Sequence, residues 1–240
     1  MPTDCLFRDN SYLRDCDATV VGVTPEGGIV LDRTVFYAAS GGQPGDRGTL
    51  TVGDGTVIPI ETAVFTDPLK TEIAHLPPKG AAVPALAVGT PVNAAIDWGL
   101  RHGRMRIHTA LHLLSAVLPY AVTGGSVGDA DGRLDFDIPD AGLDKDAITD
   151  KLAEMIATDA AVTSRWITDA ELEANPGLVK TMSVKPPIGT GRVRLIEIQG
   201  LDLQPCGGTH VARTAEIGAV RVTQIEKKGK INRRVRIAFA

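Results

Sequence analysis

Arg101-His-Gly-Arg-Met-Arg-Ile-His-Thr-Ala-Leu-His-Leu-Leu-Ser-Ala-Val-Leu118 divides this chain into two kinds of sequence. The stretch has no proline and one glycine. Met105, Ala110, Leu111, Leu114 and Leu118 recur at roughly helical spacing, and Pro119 supplies a stop, so it predicts an amphipathic helix. Upstream, residues 1 to about 95 read as β. Val20–Val23, Gly28–Asp32, Thr49–Val52 and Thr56–Thr62 are short β-prone runs separated by Gly, Pro and Asp turns, the pattern of a small barrel or sandwich. The composition changes near Asp97-Trp98, which predicts two domains, 1–96 and 97–240.

Downstream the reading alternates. Ala121–Val127 and Arg133–Ile138 predict a strand pair, Ala147–Ala160 a second helix, Ala161–Ile167 a strand and Asp169–Ala174 a short helix. Thr181–Gly191, with Pro186-Pro187, reads as a mobile loop. Arg192–Ile198, Ala219–Ile225 and Asn232–Phe239 read as strands, the last two flanking a Lys-Lys-Gly-Lys turn. The fold class expected is α+β with few crossover units.

The predicted helix carries His108 and His112, four residues apart and therefore one above the other on a single face, with Cβ atoms about 5–6 Å apart. A second pair at the same spacing is Cys206-Gly-Gly-Thr-His210, which reads as a tight loop able to turn a thiol and an imidazole to a common point. The chain has five histidines and three cysteines, and these two windows hold three of the former and one of the latter. Three imidazoles and a thiol are a ligand set for zinc. Four protein ligands close a tetrahedral site, the structural pattern. Direct catalysis requires one loose ligand or a fifth position.

Hydrophobic content of 43% with 22% charged residues is ordinary for a soluble globular protein. No apolar run approaches the roughly 20 residues that span a bilayer, and Met-Pro-Thr-Asp-Cys lacks the form of a signal peptide, so a cytosolic protein without a membrane partner is expected. Three cysteines suggest no disulfide framework and fit a reducing compartment. The net charge of −4 does not advertise a nucleic-acid binder, but its distribution is uneven. From Glu216 to Ala240 seven basic residues, among them Lys227, Lys228, Lys230, Arg233 and Arg234, face two acidic ones. Arg101, Arg104 and Arg106 form a second basic cluster. Such patches hold phosphates, or are solvated faces.

One loop upstream is glycine-rich: Gly41-Gly-Gln-Pro-Gly-Asp-Arg-Gly48. It lacks the Gly-Lys-Ser/Thr ending of a P-loop and the dinucleotide fingerprint. Two zinc-enzyme readings also fail. Thr109 stands where a His-Glu-x-x-His protease has glutamate, and the His-x-Glu and Pro-Cys-x-x-Cys of nucleobase deaminases are missing.

Four motifs, in order, resemble those of the alanyl-tRNA editing proteins of the AlaX type, free-standing relatives of the editing domain of alanyl-tRNA synthetase. They are Phe36-Tyr-Ala-Ala-Ser-Gly-Gly-Gln-Pro-Gly-Asp-Arg-Gly48, Arg104-Met-Arg-Ile-His-Thr-Ala-Leu-His-Leu-Leu114, Asp202-Leu-Gln-Pro-Cys-Gly-Gly-Thr-His-Val211 and Ile225-Glu-Lys-Lys-Gly-Lys-Ile-Asn-Arg-Arg-Val235. The resemblance implies a small N-terminal β-barrel domain with the glycine loop. It implies an α+β editing domain after it, of the type shared with threonyl-tRNA synthetases. It implies hydrolysis, in trans, of the ester joining a wrong amino acid, chiefly serine with glycine as a second candidate, to tRNA(Ala). Zinc held by His108, His112, Cys206 and His210 would be the catalytic centre. Thr123, by its position on the family's pocket strand, would read the substrate hydroxyl. Gln43, Gly41 and Gly42 would help form the substrate site, and Lys227, Lys228, Lys230, Arg233 and Arg234 would take tRNA phosphates. A reading from another class stays open: a non-catalytic, zinc-ordered tRNA-binding module.

Overall fold

The computed structural model describes residues 2–81, 84–139, 142–179 and 191–240. They form two compact units. One holds the residues up to Ser40 together with Pro44–His102; the other holds Gly41–Gln43 and Gly103–Ala240. The strands of the first are β1 (Asp4–Cys5), β2 (Asp15–Val23), β3 (Ile29–Leu31), β4 (Arg33–Thr34), β5 (Gly48–Val52), β6 (Val57–Ile60), β7 (Thr62–Phe65), β8 (Ile73–Leu76) and β9 (Pro91–Ile96). Seven of them make one antiparallel sheet in the order β6-β5-β9-β2-β3-β8-β7.

The two edges of that sheet, β6 and β7, are consecutive in the chain and separated only by Glu61, whose N–H donates to Leu76 O at 2.8 Å. The sheet is thus nearly closed and barrel-like, which hides strand edges that would otherwise be open to other chains. Val20, Leu31, Phe36, Leu50, Ile58 and Ile73 fill its inside. The run expected as one strand over Thr56–Thr62 is broken at this corner. Strands β8 and β9 are not in the sequence reading. His75, buried in the middle of β8, interrupts a short apolar run, and Pro91, at the start of β9, obscures an alternating one.

Helix α1 (Trp98–Val117) begins at the composition change near Asp97-Trp98, after Asp97, whose carboxylate accepts the Leu100 N–H at 3.1 Å. Its first turn groups with the first unit and the rest with the second. The expected basic cluster at its N-terminal end is not a phosphate patch. Arg101 is fully buried, with Nε on the Asp46 carboxylate at 3.0 Å, Nη2 on Val35 O at 2.7 Å and Nη1 on Ser11 O at 3.0 Å. Arg104 is buried against Asp129 at 2.7 Å. Arg106 donates to Ile217 O at 2.9 Å and lies over the Phe239 ring. Acid, carbonyl and aromatic partners, distant in sequence, have taken up these cations.

The second unit continues with β10 (Val122–Val127), β11 (Asp131–Asp137), helix α2 (Lys145–Ala157), β12 (Val162–Thr168), helix α3 (Asp169–Glu173), β13 (Arg192–Ile198), β14 (Asp202–Pro205), β15 (Val220–Lys227) and β16 (Asn232–Phe239). It has a four-stranded antiparallel sheet, β10-β11-β16-β15, and a three-stranded one, β12-β13-β14. Asp144 caps α2 by accepting the Asp146 and Ala147 N–H groups, and Thr168 with Glu171 forms a capping box on α3. Helix α1 presses onto β11. A Cβ added to Gly132 would meet Ile107 Cγ2 at 2.7 Å and Leu111 Cδ1 at 3.0 Å.

The molecule is therefore mixed α and β with few helices. Among the described residues no helix is long and apolar enough to cross a membrane. The loop expected over residues 181–191 lies, apart from Gly191, outside the described residues.

Candidate metal centre

Helix α1 presents His108 and His112 on one face, and the loop after β14 presents Cys206 and His210. One ligand atom from each of the four lies within 4.8 Å of every other. The three histidines are 9%, 6% and 5% exposed, whereas Cys206 is only half-buried and Gly207 beside it is exposed. Cys206 Sγ is 3.6 Å from His108 Nε2 and 3.3 Å from His210 Nε2. A tetrahedral zinc with bonds of about 2.3 Å to sulfur and about 2.0 Å to nitrogen has an S···N edge of about 3.5 Å. The donor set and its spacing both fit.

The far side of each ring fits too. His112 Nδ1 donates to Asp202 Oδ2 at 3.0 Å. His210 Nδ1 faces Thr109 Oγ1 at 3.1 Å. That hydroxyl already donates to Met105 O at 2.9 Å, so it accepts here. His108 Nδ1 faces Gln43 Oε1 at 2.8 Å. Each imidazole therefore carries a proton on Nδ1 and turns Nε2 inward, an arrangement that suits metal ligation through Nε2. Gln204 donates to Asp202 Oδ2 at 2.8 Å and to Ser115 Oγ at 3.2 Å, which steadies the carboxylate. Arg194 on β13 donates to Gly208 O at 2.8 Å and Cys206 O at 3.3 Å, which braces the loop.

The electrostatics favour a ligating thiolate. Burial pushes the Cys206 thiol up, but the imidazoles that face its sulfur outweigh it and hold the group well below the ordinary thiol range. Burial pushes His112 down, and its hydrogen bonds to Asp202 and Cys206 more than reverse this, raising it to about 9. Burial and the neighbouring His108 push His210 down to about 3.

The other predicted site residues fall as follows. Gln43 joins the cluster, although 65 residues separate it from His108. Gly42 has φ +84 and its carbonyl accepts the Val127 N–H at 2.8 Å, so Gly41–Gln43 lies along β10. Thr123, on β10, donates to Asp135 O at 3.2 Å and accepts from Asn232 Nδ2 at 2.7 Å. Lys227, Lys228 and Lys230 are exposed at the β15–β16 turn, with Lys228 paired to Glu226 at 2.6 Å. Arg233 is 6% exposed and donates to the Gly229 and Asn232 carbonyls. Arg234 is held by Asp135 at 2.7 Å.

Thr109, Asp202 and Gln204 have no role in the sequence reading. A signal for two of them exists. Asp202, Gln204 and Cys206 alternate along a strand that runs into the loop, so all three share a face.

The chain matches the family model described as threonyl and alanyl tRNA synthetase second additional domain over residues 193–236, which span β13, β14, the Cys206–His210 loop and most of the last hairpin. Residues 14–100 match the model described as tRNA synthetases class II (A). The chain is 34% identical to the alanyl-tRNA editing protein AlaX-M of Methanosarcina acetivorans, an alignment covering 97% of both chains. It is 31% identical to the AlaX-L protein of Pyrococcus horikoshii over 94% of this chain and 55% of that one. With the alanine–tRNA ligase of Sulfurisphaera tokodaii it shares 36% identity over 94% of this chain but only 25% of the ligase. With a relative this similar along nearly its whole length, the chain belongs to the AlaX family of alanyl-tRNA editing proteins.

Proposed function

We propose that this protein edits alanyl-tRNA synthesis in trans, hydrolysing the ester of tRNA(Ala) mischarged chiefly with serine and secondarily with glycine. The observation that carries the reading is the His108–His112–Cys206–His210 cluster, set within a chain that aligns end to end with AlaX-M proteins. On this reading residues 97–240 are the editing domain and zinc is its metal. A bound zinc ion would supply Lewis acidity toward an ester carbonyl and toward water.

The chain's own residues set the terms of that chemistry. Three buried histidines are held by Gln43, Asp202 and Thr109, so they reach the reaction already oriented. Cys206 is the ligand nearest solvent, and an aminoacyl ester entering from its side would arrive over the Gly207-Gly208 turn. Thr123 is the proposed reader of a serine hydroxyl. Its hydroxyl sits in a network with Asp135 and Asn232, which a substrate hydroxyl would join. Alanine would leave that contact unmade, and sites built to bond a hydroxyl discriminate strongly against analogues without it. Exposed Lys227, Lys228 and Lys230 are the proposed phosphate contacts. Arg233 and Arg234, bonded within the hairpin, would shape its presentation.

Amino-acid release from Ser-tRNA(Ala) by zinc-loaded protein tests the reading, with Cys206→Ala as the control. Hydrolysis by the wild type and its loss in the variant support it. Tight tRNA binding with no hydrolysis would instead support the binding-module reading.

A further inference from the structure

The peptide N–H of Thr209 lies 3.2 Å from Gln43 Oε1. A peptide N–H can only donate, so it fixes which way the Gln43 amide points. With the oxygen so placed, His108 Nδ1, 2.8 Å from the same atom, must be the protonated nitrogen. The other end of the amide, Nε2, donates to Thr209 Oγ1 at 2.9 Å. Gln43 is 2% exposed, with both ends of its amide bonded inside the protein.

Two glycines make the arrangement possible. Gly42, at positive φ, lies against β10 so closely that an added Cβ would be 2.7 Å from Gly125 O. Gly208 passes beside the bond itself. A Cβ there would be 2.5 Å from His108 Nδ1 and 2.9 Å from Gln43 Oε1. Adjacent residues of one short segment thus hold two things: Gly42 the strand that carries Thr123, and Gln43 the ring of His108.

We infer that Gln43 is a positioning residue of the metal centre, fixing the tautomer and tilt of His108, and that Gly41–Gln43 is a support of that centre rather than a substrate-binding loop. This rests on the metal reading of the cluster and not on the identity of the tRNA ester.

The test compares wild type, Gln43→Leu and Gln43→Glu. Leucine keeps the bulk and removes every hydrogen bond, while glutamate keeps an oxygen toward both His108 and Thr209. Zinc affinity, measured by competition with a chromophoric chelator, should fall about 10–100-fold in the leucine variant and stay near wild type in the glutamate variant. The second readout is proton NMR of the cobalt(II)-loaded protein. Wild type should show three exchangeable, metal-shifted Nδ1–H resonances. The leucine variant should lose one of them to solvent exchange and the glutamate variant should keep it, a selective change that general destabilisation would not produce. If the leucine variant does not fold, the wild-type spectrum still decides, because only two such resonances would remove the His108–Gln43 bond. Zinc binding and three resonances unchanged in Gln43→Leu would overturn the inference and leave the metal reading standing. A wild type that binds neither zinc nor cobalt would overturn both.

Discussion

Asp202 Oδ2 lies 3.0 Å from His112 Nδ1, across ninety residues of sequence. The carboxylate is buried, receives a second hydrogen bond from Gln204, and aims the Nε2 face of His112 at the thiol of Cys206. A carboxylate behind a ligating imidazole raises its basicity and fixes its orientation. Replacing it should therefore weaken the metal rather than simply the fold. Asp202→Ala should lower zinc affinity by about 10–100-fold in chelator competition, and Asp202→Asn, which retains an acceptor oxygen, should fall between it and wild type. Equal affinity in all three would show that the pair does not support the metal.

Thr123→Val keeps the shape of the side chain and removes the hydroxyl. The ratio of Ser-tRNA(Ala) to Ala-tRNA(Ala) hydrolysis should drop by at least about tenfold. Asp135 O and Asn232 lose a partner as well, so a stability loss of about 1 kcal/mol is expected alongside. An unchanged ratio in a folded variant assigns the reading of serine to another residue.

The hairpin lysines should separate by their surroundings. Lys227→Gln and Lys230→Gln should each flatten the dependence of log affinity for tRNA on log salt by about one unit. Lys228→Gln should do less, because Lys228 already pairs with Glu226 at 2.6 Å. Titrations at several salt concentrations check this. Three slopes identical to wild type would make the hairpin a solvated face.

His75 makes the first unit acid-sensitive. Its Nδ1–H donates to Ile29 O at 2.9 Å, so Nε2 accepts the Thr34 hydroxyl at 2.8 Å, and burial pushes the ring down to about 4. The unfolded chain, with an ordinary value near 6.5, takes up the proton first as pH falls. The contribution is thus complete above about pH 6.5 and is lost progressively toward pH 4, a total of about 3 kcal/mol. Urea midpoints of wild type and His75→Phe, both zinc-free, should converge as pH is lowered from 7 to 5. A constant gap between them would contradict the assignment.

What the sequence made legible was local. Spacings of four residues picked out all four members of the His108–His112–Cys206–His210 group, because a helix turn and a glycine loop are short-range features that each place two donors. The same held for Pro119 ending α1 and for the strand Arg192–Ile198. What stayed hidden depends on distance along the chain. Arg101 reads as a surface cation until Asp46 and the Val35 carbonyl are seen to enclose it. Gln43 reads as a loop residue until Thr209, 166 positions later, fixes its amide. Strand β8 was missed because buried His75 is satisfied by Thr34 and Ile29, partners its own segment does not reveal.

The central claim is the reaction. Its most direct measurement is a side-by-side time course of deacylation of seryl-, glycyl- and alanyl-tRNA, prepared on the same tRNA(Ala), by zinc-loaded wild-type protein. The account predicts rapid loss of serine, with the correctly charged alanyl ester persisting at close to its spontaneous rate. Spontaneous rates for all three esters, from protein shown to carry zinc, would contradict it.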